Sequence, residues 1–429
     1  MKLKISVISI LAAMLVLTAC TNRQDSGTAK QSTPEASEKA STTLSEAASS
    51  ETTSSETASS ETISSEIETI DNREHFPQEM RDMETSDIVR DMGIGINLGN
   101  TFEACGDWIT GNTVQSYETA WGSPVITKKM IEGYAAEGFG ALRIPVAWSN
   151  MMASDYTINP EYMARIKEIA DWTIDSNMYA IINIHWDGGW WDKFPTEKEK
   201  CMEKYTSIWK QISNEFCDYG DKLIFESLNE EGCWDSVWNH YNSSAAGKQK
   251  AYDLLNEINQ TFVDLVRSSG CNNQNRHLLI AGYATDITLT CDDCFKMPKD
   301  PQNRCAVSVH YYTPAAYCII TEDTSWAKAQ TEWGSDADIA ELDKYMKMLY
   351  DTFVTKGVPV IIGEFGVAMD NKDKANATLF LKTVAQKAYD YNMCPVLWDT
   401  TGSFSFYNRY TCSMSEFPEL KEAFNNIIK

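Results

Sequence analysis

Eight short apolar segments recur along the chain between residues 92 and 399, and amphipathic segments separate them. Each apolar segment is rich in Ile, Val, Leu or Phe without regular polar alternation. This pattern predicts strands that are buried on both faces of a parallel sheet. The predicted strands are Met92–Leu98, Ala141–Trp148, Tyr179–Trp186, Leu223–Leu228, His277–Tyr283, Cys305–Tyr311, Pro359–Phe365 and Met393–Asp399.

Most intervals between these strands have the residue spacing of amphipathic helices. In the segment 160–177, for example, Met163, Ile166 and Ala170 fall on one helical face. The interval 286–304 gives the weakest helical pattern, because it is polar and contains two prolines. The predicted helices span residues 127–138, 160–177, 197–219, 248–269, 337–355, 374–391 and 416–428.

Alternating strands and helices predict right-handed β-α-β units, and eight rounds predict closure into a (β/α)8 TIM barrel. An open, doubly wound sheet is the alternative fold. The glycines at Gly93, Gly95 and Gly99 lack the spacing of a dinucleotide-binding loop. The five histidines show neither HxxxH nor HxH spacing, so a metallohydrolase is disfavoured. We therefore expect neither a cofactor nor a metal.

The amino-terminal residues 1–20 have the pattern of an export signal, with Lys2 and Lys4 followed by an apolar run. The ending Leu17-Thr-Ala-Cys20 is similar to a bacterial lipoprotein signal, in which the cysteine is lipidated. Ordinary cleavage near Ala19 is the alternative. Residues 21–75 consist mostly of Ser, Thr, Ala and Glu, which predicts a disordered linker before a folded domain at 76–429.

The chain is strongly acidic, with 61 acidic and 37 basic residues and a formal net charge of −24. Such charge argues against nucleic acid and anionic membrane surfaces as partners, but it is compatible with neutral polysaccharides. Contact with a membrane is expected only through a lipid at Cys20. We expect a monomer.

Twelve cysteines are present, and removal of Cys20 leaves an odd number. Cys291 and Cys294 form the one close pair, which fits a local disulfide or two free thiols better than a metal site. Cysteines inside predicted strands and helices are expected to be free and buried. These are Cys201, Cys217, Cys305 and Cys394.

Two predicted strands deliver a carboxylate near their carboxyl ends. Glu230 ends the segment Leu223-Ile-Phe-Glu-Ser-Leu-Asn-Glu230, and Glu364 ends Val358-Pro-Val-Ile-Ile-Gly-Glu364. Barrel active sites lie at that end of the strands, and two such carboxylates are what chemistry at a glycosidic bond requires. The glutamate beside Arg143 would stay ionised and suit a nucleophile, but the sequence leaves open which glutamate that is.

Further polar and aromatic residues fall at the same predicted end of the barrel. Asn229 could donate a hydrogen bond to a substrate hydroxyl, and Tyr312 could hydrogen-bond to the nucleophile. Trp398 could pack against the apolar face of a sugar. The two histidines could orient the substrate or the carboxylates. The candidate residues at the strand ends are Arg143, His185, Asn229, His310, Tyr312 and Trp398.

Taken together, these residues resemble the glycoside hydrolase family 5 set over roughly residues 80 to 429. The resemblance implies that Glu230 is the acid/base, that Glu364 is the nucleophile and that hydrolysis retains configuration. The motifs Gly95-Ile-Asn97-Leu-Gly-Asn-Thr101 and Glu118-Thr-Ala-Trp-Gly122 are similar to those of bacterial endo-β-1,4-glucanases that often accept xyloglucan or mixed-linkage glucan. Asn97 is therefore included among the candidate substrate-binding residues.

The sequence has 13 tryptophans, most of them near strand ends, which predicts an aromatic-lined cleft for a glucose polymer. Trp190 and Trp191, shortly after His185, are the expected wall of a sugar subsite. Glu231 occupies the place of the family's usual proline. It either raises the pKa of the acid/base or points away from it, and we favour the second.

The sequence thus predicts an extracellular, lipid-anchored bacterial endoglucanase without a metal. The same chemistry on xyloglucan, mixed-linkage glucan or mannan is the nearest alternative. A non-catalytic oligosaccharide-binding lipoprotein is a more distant one, because a binding protein has no use for both Glu230 and Glu364.

Overall fold

The computed structural model describes residues 78–241 and 244–429. The predicted signal segment, the linker and Cys20 lie outside these residues. Within the described ranges, no helix combines the length and the apolar character needed to cross a bilayer.

Eight parallel strands form a closed barrel in which each strand pairs with its sequence neighbours and β8 pairs with β1. This confirms the predicted (β/α)8 fold and excludes the open sheet. Six of the eight strands end earlier than predicted, because the polar and aromatic residues that follow belong to loops, whereas the sixth has its predicted bounds and the seventh lacks only Pro359. The strands are β1 Gly95–Asn97, β2 Ala141–Ile144, β3 Tyr179–Asn183, β4 Leu223–Glu226, β5 Leu278–Ala281, β6 Cys305–Tyr311, β7 Val360–Phe365 and β8 Cys394–Leu397.

Seven long helices match the predicted intervals to within a few residues at most ends. The weakest interval contains only the one-turn helix α7, because its polar sequence offers no apolar face. The helices are α1 Thr85–Asp91, α2 Val114–Glu118, α3 Lys128–Glu137, α4 Pro160–Asp175, α5 Lys198–Glu215, α6 Lys248–Ser268, α7 Ile287–Thr290, α8 Ala315–Cys318, α9 Asp336–Thr352, α10 Lys374–Asp390 and α11 Pro418–Ile427. Short 3-10 turns span Asp187–Lys193, Cys271–Gln274, Tyr283–Thr285 and Val354–Lys356.

The amino-terminal end of the barrel is closed by apolar packing. Ile88 and Val89 of α1 join Met92 in one buried cluster with inward-facing residues of the strands, such as Ile181 and Val396. Burial of these side chains removes apolar surface from water and stabilises the fold. Because this end is filled, a substrate can reach the strands only from their carboxyl ends.

A disulfide joins Cys217 to Cys271, with Cα atoms 5.5 Å apart. Cys217 was expected to be a free, buried thiol, and that prediction is wrong, because the residue follows α5 and meets the turn after α6. Cys201 and Cys394 are free and buried as predicted. Cys305 is free but only partly buried, and Cys291 and Cys294 are two free thiols.

Candidate active site

Glu230, His310 and Glu364 converge at the carboxyl end of the barrel. One ligand atom from each side chain lies within 4.8 Å of the other two. Nδ1 of His310 is 2.7 Å from Oε1 of Glu230 and 3.6 Å from Oε2 of Glu364. Glu364 is almost fully buried, whereas the Glu230 side chain keeps 28% of its surface exposed. The two carboxylates are therefore neighbours in one pocket that opens towards solvent at Glu230.

A local irregularity in the sheet brings Glu364 beside His310. The register of β6 against β7 shifts after Val309, so that His310 pairs with Glu364 and Gly363 has no partner. A Cβ atom on Gly363 would lie only 2.8 Å from Oγ of Ser308. Glycine is thus required where the strand bends to present the carboxylate.

The guanidinium of Arg143 links several buried side chains of the site. It donates to Oε2 of Glu226 at 2.7 Å, to Oε1 of Glu364 at 2.8 Å, and to the amide oxygens of Asn97 and Asn229 at 3.0 Å each. This answers the question that the sequence left open, because the arginine lies beside Glu364. Arg143 and Asn97 are completely buried, and their side chains contact other residues of the site.

The charges around Arg143 do not balance. Glu226 and Glu364 share one guanidinium, and Glu226 also accepts a hydrogen bond from Ser308 at 2.7 Å. Burial raises the pKa of Glu364 above its ordinary value, while the nearby His310 and Arg143 oppose the rise. Glu226 is thus part of a buried hydrogen-bond network with Arg143 and Ser308.

Tyr312 fixes the second oxygen of Glu364. Its hydroxyl donates to Oε2 at 2.9 Å, so Glu364 receives one donor on each oxygen. Two donors favour the ionised carboxylate and fix its direction. The predicted contact between Tyr312 and the strand-seven glutamate is therefore present in the structure.

His185 and Trp398 lie parallel beside the carboxylates, with ring centroids 6.0 Å apart and planes inclined by 6°. Burial lowers the pKa of His185 well below its ordinary value, and the charge of Arg143 acts in the same direction. The imidazole is therefore neutral near pH 7 and can exchange hydrogen bonds with sugar hydroxyls. Nδ1 of His185 lies 3.3 Å from Nδ2 of Asn183.

The two tryptophans of the expected subsite wall differ in exposure. Trp191 is only 1% exposed and stacks against Trp190, with centroids 4.0 Å apart. Nε1 of Trp190 donates to the buried Asp187 at 2.7 Å, and Nζ of Lys204 lies 4.7 Å from the centroid of the Trp190 ring. Trp191 is thus inaccessible to a ligand, whereas Trp190 is partly exposed and Trp186 is exposed.

Glu231 is half-buried next to Glu230. Burial raises the pKa of Glu231 well above its ordinary value, and the charges of Asp192 and Glu230 raise it further. The shift favours the neutral form of the Glu231 side chain. Its backbone oxygen accepts a hydrogen bond from the backbone N–H of Ala284 at 2.8 Å.

Sequence reasoning missed three polar residues that support the site. Ser308 holds Glu226, Asn183 lies beside His185, and Asp187 holds the loop after β3 through Ser149 and Trp190. All three are completely or almost completely buried. Ser308 and Asn183 interrupt predicted apolar strands, and that interruption was the available signal.

A closed barrel with two glutamates and a buried arginine at one end defines a glycoside hydrolase. The pattern of the cellulase family, glycosyl hydrolase family 5, matches residues 103–403. The chain belongs to this family.

Several characterised proteins are similar to the chain. Endoglucanase A of Paenibacillus barcinonensis is 33% identical over 372 residues, covering 79% of this chain and 89% of the relative. A xyloglucan-specific endo-beta-1,4-glucanase of Bacteroides ovatus is 33% identical, covering 77% of this chain and 68% of the relative. A solved GH5-4 broad specificity endoglucanase from Ruminococcus champanellensis with bound cellotriose is 34% identical, with a TM-score of 0.72, and covers 81% of this chain and 99% of that one.

Proposed function

We propose that this enzyme cleaves β-1,4-linked glucan chains internally by a retaining double displacement. Glu364 attacks the anomeric carbon while Glu230 protonates the oxygen of the departing sugar. Glu230 then takes a proton from water, and this water releases the glycosyl group from Glu364. The chain's relationship to several endoglucanases supports the endo-acting β-1,4-glucanase activity.

The proximity of the two glutamates carries the mechanistic proposal. Their closest carboxyl oxygens lie within 4.8 Å of each other. Retaining enzymes place the two carboxyl groups about 5–5.5 Å apart, whereas inverting enzymes need about 6.5–9.5 Å to admit water between them. The distance therefore supports direct attack by a carboxylate.

The division of roles follows from the partners of each glutamate. Glu364 receives donors from Arg143 and Tyr312, which favour the ionised form that a nucleophile needs. Glu230 has no ion pair with Arg or Lys among the described residues and reaches solvent, as a proton donor to a leaving group must.

Substrate specificity is proposed at the level of β-glucans. The cello-oligosaccharide bound to the Ruminococcus relative supports cellulose-type chains, and the Bacteroides relative supports xyloglucan. Five exposed aromatic side chains support an open, polymer-binding face, because all of them lie in loops that follow strands. They are Trp108, Trp186, Tyr241, Trp326 and Tyr410.

Covalent trapping tests the proposal directly. A 2-deoxy-2-fluoro cellobioside with a good leaving group should accumulate on Glu364, and mass spectrometry of the digested protein should locate the label there. In Glu364→Ala, azide should yield an α-glycosyl azide, whereas in Glu230→Ala it should yield the β-anomer. Inversion in the first product, seen by proton NMR, would overturn the mechanism.

We further propose that the enzyme acts outside the cell as a monomer, attached through a lipid on Cys20. The sequence motif at residues 17–20 supports the lipid, and the acidic composition supports a neutral polymer as the partner. Cys20→Ser should release the enzyme into the medium without changing its activity. An unchanged cell-bound fraction would contradict the anchor.

A further inference from the structure

A groove in the loop between β1 and α3 takes no part in the mechanism above. Its volume is about 420 Å³, and Trp108 at its edge is 52% exposed. The polar part of the lining comes from Thr110, Thr113, Gln115, Ser116 and Thr119. The loop leaves the carboxyl end of β1, so the groove opens on the same end of the barrel as the two glutamates.

The lining of this groove is uncharged. Hydroxyl, amide and apolar groups form it, although the chain as a whole carries a net charge of −24. Asp107 precedes Trp108 in sequence and is exposed, but it does not line the groove. Hydroxyl and amide groups both donate and accept hydrogen bonds. A neutral ligand with many hydroxyl groups matches this lining, whereas an ion would find no opposite charge in it.

Trp108 is held in a fixed orientation. Its Nε1 donates to the carbonyl oxygen of Cys105 at 3.3 Å, and its ring stacks on Trp121, with centroids 6.1 Å apart and planes inclined by 18°. An aromatic ring that is ordered before binding and still exposed can accept the apolar face of a sugar at little entropic cost.

The groove is also anchored to the barrel. Tyr117 of α2 packs edge-on against Tyr162 of α4 at 6.4 Å, and Glu118 accepts a hydrogen bond from Arg165 at 2.7 Å. Thr113 caps α2 by accepting from the backbone N–H of Ser116. These contacts give the loop a defined shape at the rim of the barrel.

We propose that this groove is an accessory binding site for a neutral β-glucan chain, separate from the catalytic pocket, in which Trp108 stacks on a sugar ring. The inference rests on the proposed function, since it assigns to the groove the polymer that the glutamates cleave. A polymer bound at both places gains effective concentration at the catalytic pocket, while a short oligosaccharide does not.

Kinetics on long and short substrates test the site. Trp108→Ala should raise KM for soluble barley β-glucan about three- to tenfold and leave kcat/KM for a chromogenic cellotrioside unchanged. Trp108→Phe should retain most of the polymer affinity. Tyr389→Ala is the control, because Tyr389 is a partly exposed aromatic residue of the outer helix α10 and does not line this groove.

Binding without turnover gives an independent measurement. In a Glu230→Gln background, electrophoresis through a gel that contains barley β-glucan should retard the parent protein more than its Trp108→Ala variant. Equal retardation of the parent and the Trp108→Ala variant, or an equal loss in Tyr389→Ala, would overturn the accessory site. A parent enzyme that cleaves neither substrate would instead overturn the proposed function, and the gel would still decide the groove.

Discussion

Nδ1 of His310 lies 2.7 Å from Oε1 of Glu230. His310 lies near the end of β6 and Glu230 follows β4, and these two strands are not neighbours in the barrel. A protonated Glu230 can donate to this nitrogen, and an ionised Glu230 can accept from it. The same contact can therefore hold the glutamate both while it acts as an acid and while it acts as a base.

Replacement of His310 should impair mainly the protonation of the leaving group. We expect His310→Ala to lower kcat/KM, which reports formation of the glycosyl-enzyme, about 100-fold on an unactivated cello-oligosaccharide, because Glu230 loses its orienting partner. The loss should be much smaller on a dinitrophenyl cellobioside, whose leaving group needs no proton. His185→Ala should lower activity on both substrates alike. If His310→Ala also lowered activity equally on both substrates, this role of His310 would be contradicted.

The acid limb of the pH profile should report the ionisation of Glu364. Because the raised pKa of Glu364 must be exceeded before the nucleophile is charged, kcat/KM should fall as the pH drops through that value. Arg143→Met removes the opposing cation, so the limb should move to higher pH. Tyr312→Phe should move it in the same direction by less.

Arg143→Met also leaves Glu226 buried without its cation, which costs about 3–5 kcal/mol of stability. Arg143→Lys keeps the charge and supplies a second variant if the first fails to fold. Thermal unfolding of each variant separates loss of structure from loss of ionisation. An acid limb that stays in place in a folded Arg143→Met enzyme would refute the assignment.

The disulfide should affect stability and not catalysis. Cys217 and Cys271 lie in the turns that precede β4 and β5, at the end of the barrel opposite the glutamates. Cys217→Ser should lower the free energy of unfolding by about 3–4 kcal/mol, since the bridge closes a loop between residues 54 positions apart. Cys294→Ser, at a free thiol, should have little effect. A matching loss of kcat in Cys217→Ser would contradict this separation.

Two buried carboxyls make the folded state sensitive to alkali. Burial raises the pKa of Glu103 to about 7 and that of Asp399 to about 7, and Arg409 opposes the rise in both. Both groups bind protons more tightly in the folded chain than in the unfolded chain. Their contribution is therefore fully present below about pH 4 and is lost as the pH rises through about 7.

Thermal unfolding between pH 5 and pH 8 measures this effect. The unfolding midpoint should fall by a few degrees over that interval. The pH dependence that remains in variants lacking these carboxyls gives the contribution of other groups, which is subtracted. Glu103→Gln and Asp399→Asn should each flatten the dependence. A midpoint difference between wild type and variants that does not change with pH would exclude these carboxyls as its source.

The barrel could be predicted from the sequence because buried parallel strands are apolar throughout and helices repeat every 3.6 residues. Both signals are local. The one-turn helix α7 lay in the interval that was already the weakest, since its polar sequence offered no face to bury. Polar residues at the strand ends were found because barrel geometry gathers them at one rim.

Other features depend on distances that local patterns do not encode. The register shift at Gly363 places Glu364 opposite His310, and such a shift leaves no periodic signal in the sequence. Cys217 and Cys271 have no diagnostic spacing. Trp191 could not be distinguished from an exposed tryptophan, because a loop tryptophan has the same sequence signal whether it packs inward or faces a ligand.

The unequal sharing of one guanidinium by Glu226 and Glu364 has a consequence for the reaction itself. In the resting enzyme, burial and the neighbouring Glu230 raise the affinity of Glu364 for a proton, and Arg143 opposes this rise. During cleavage, the sugar ring above it acquires oxocarbenium character and becomes the positive charge that the floor lacks. The buried carboxylate of Glu364 thus interacts more favourably with the transition state than with the ground state, and this difference accelerates the reaction.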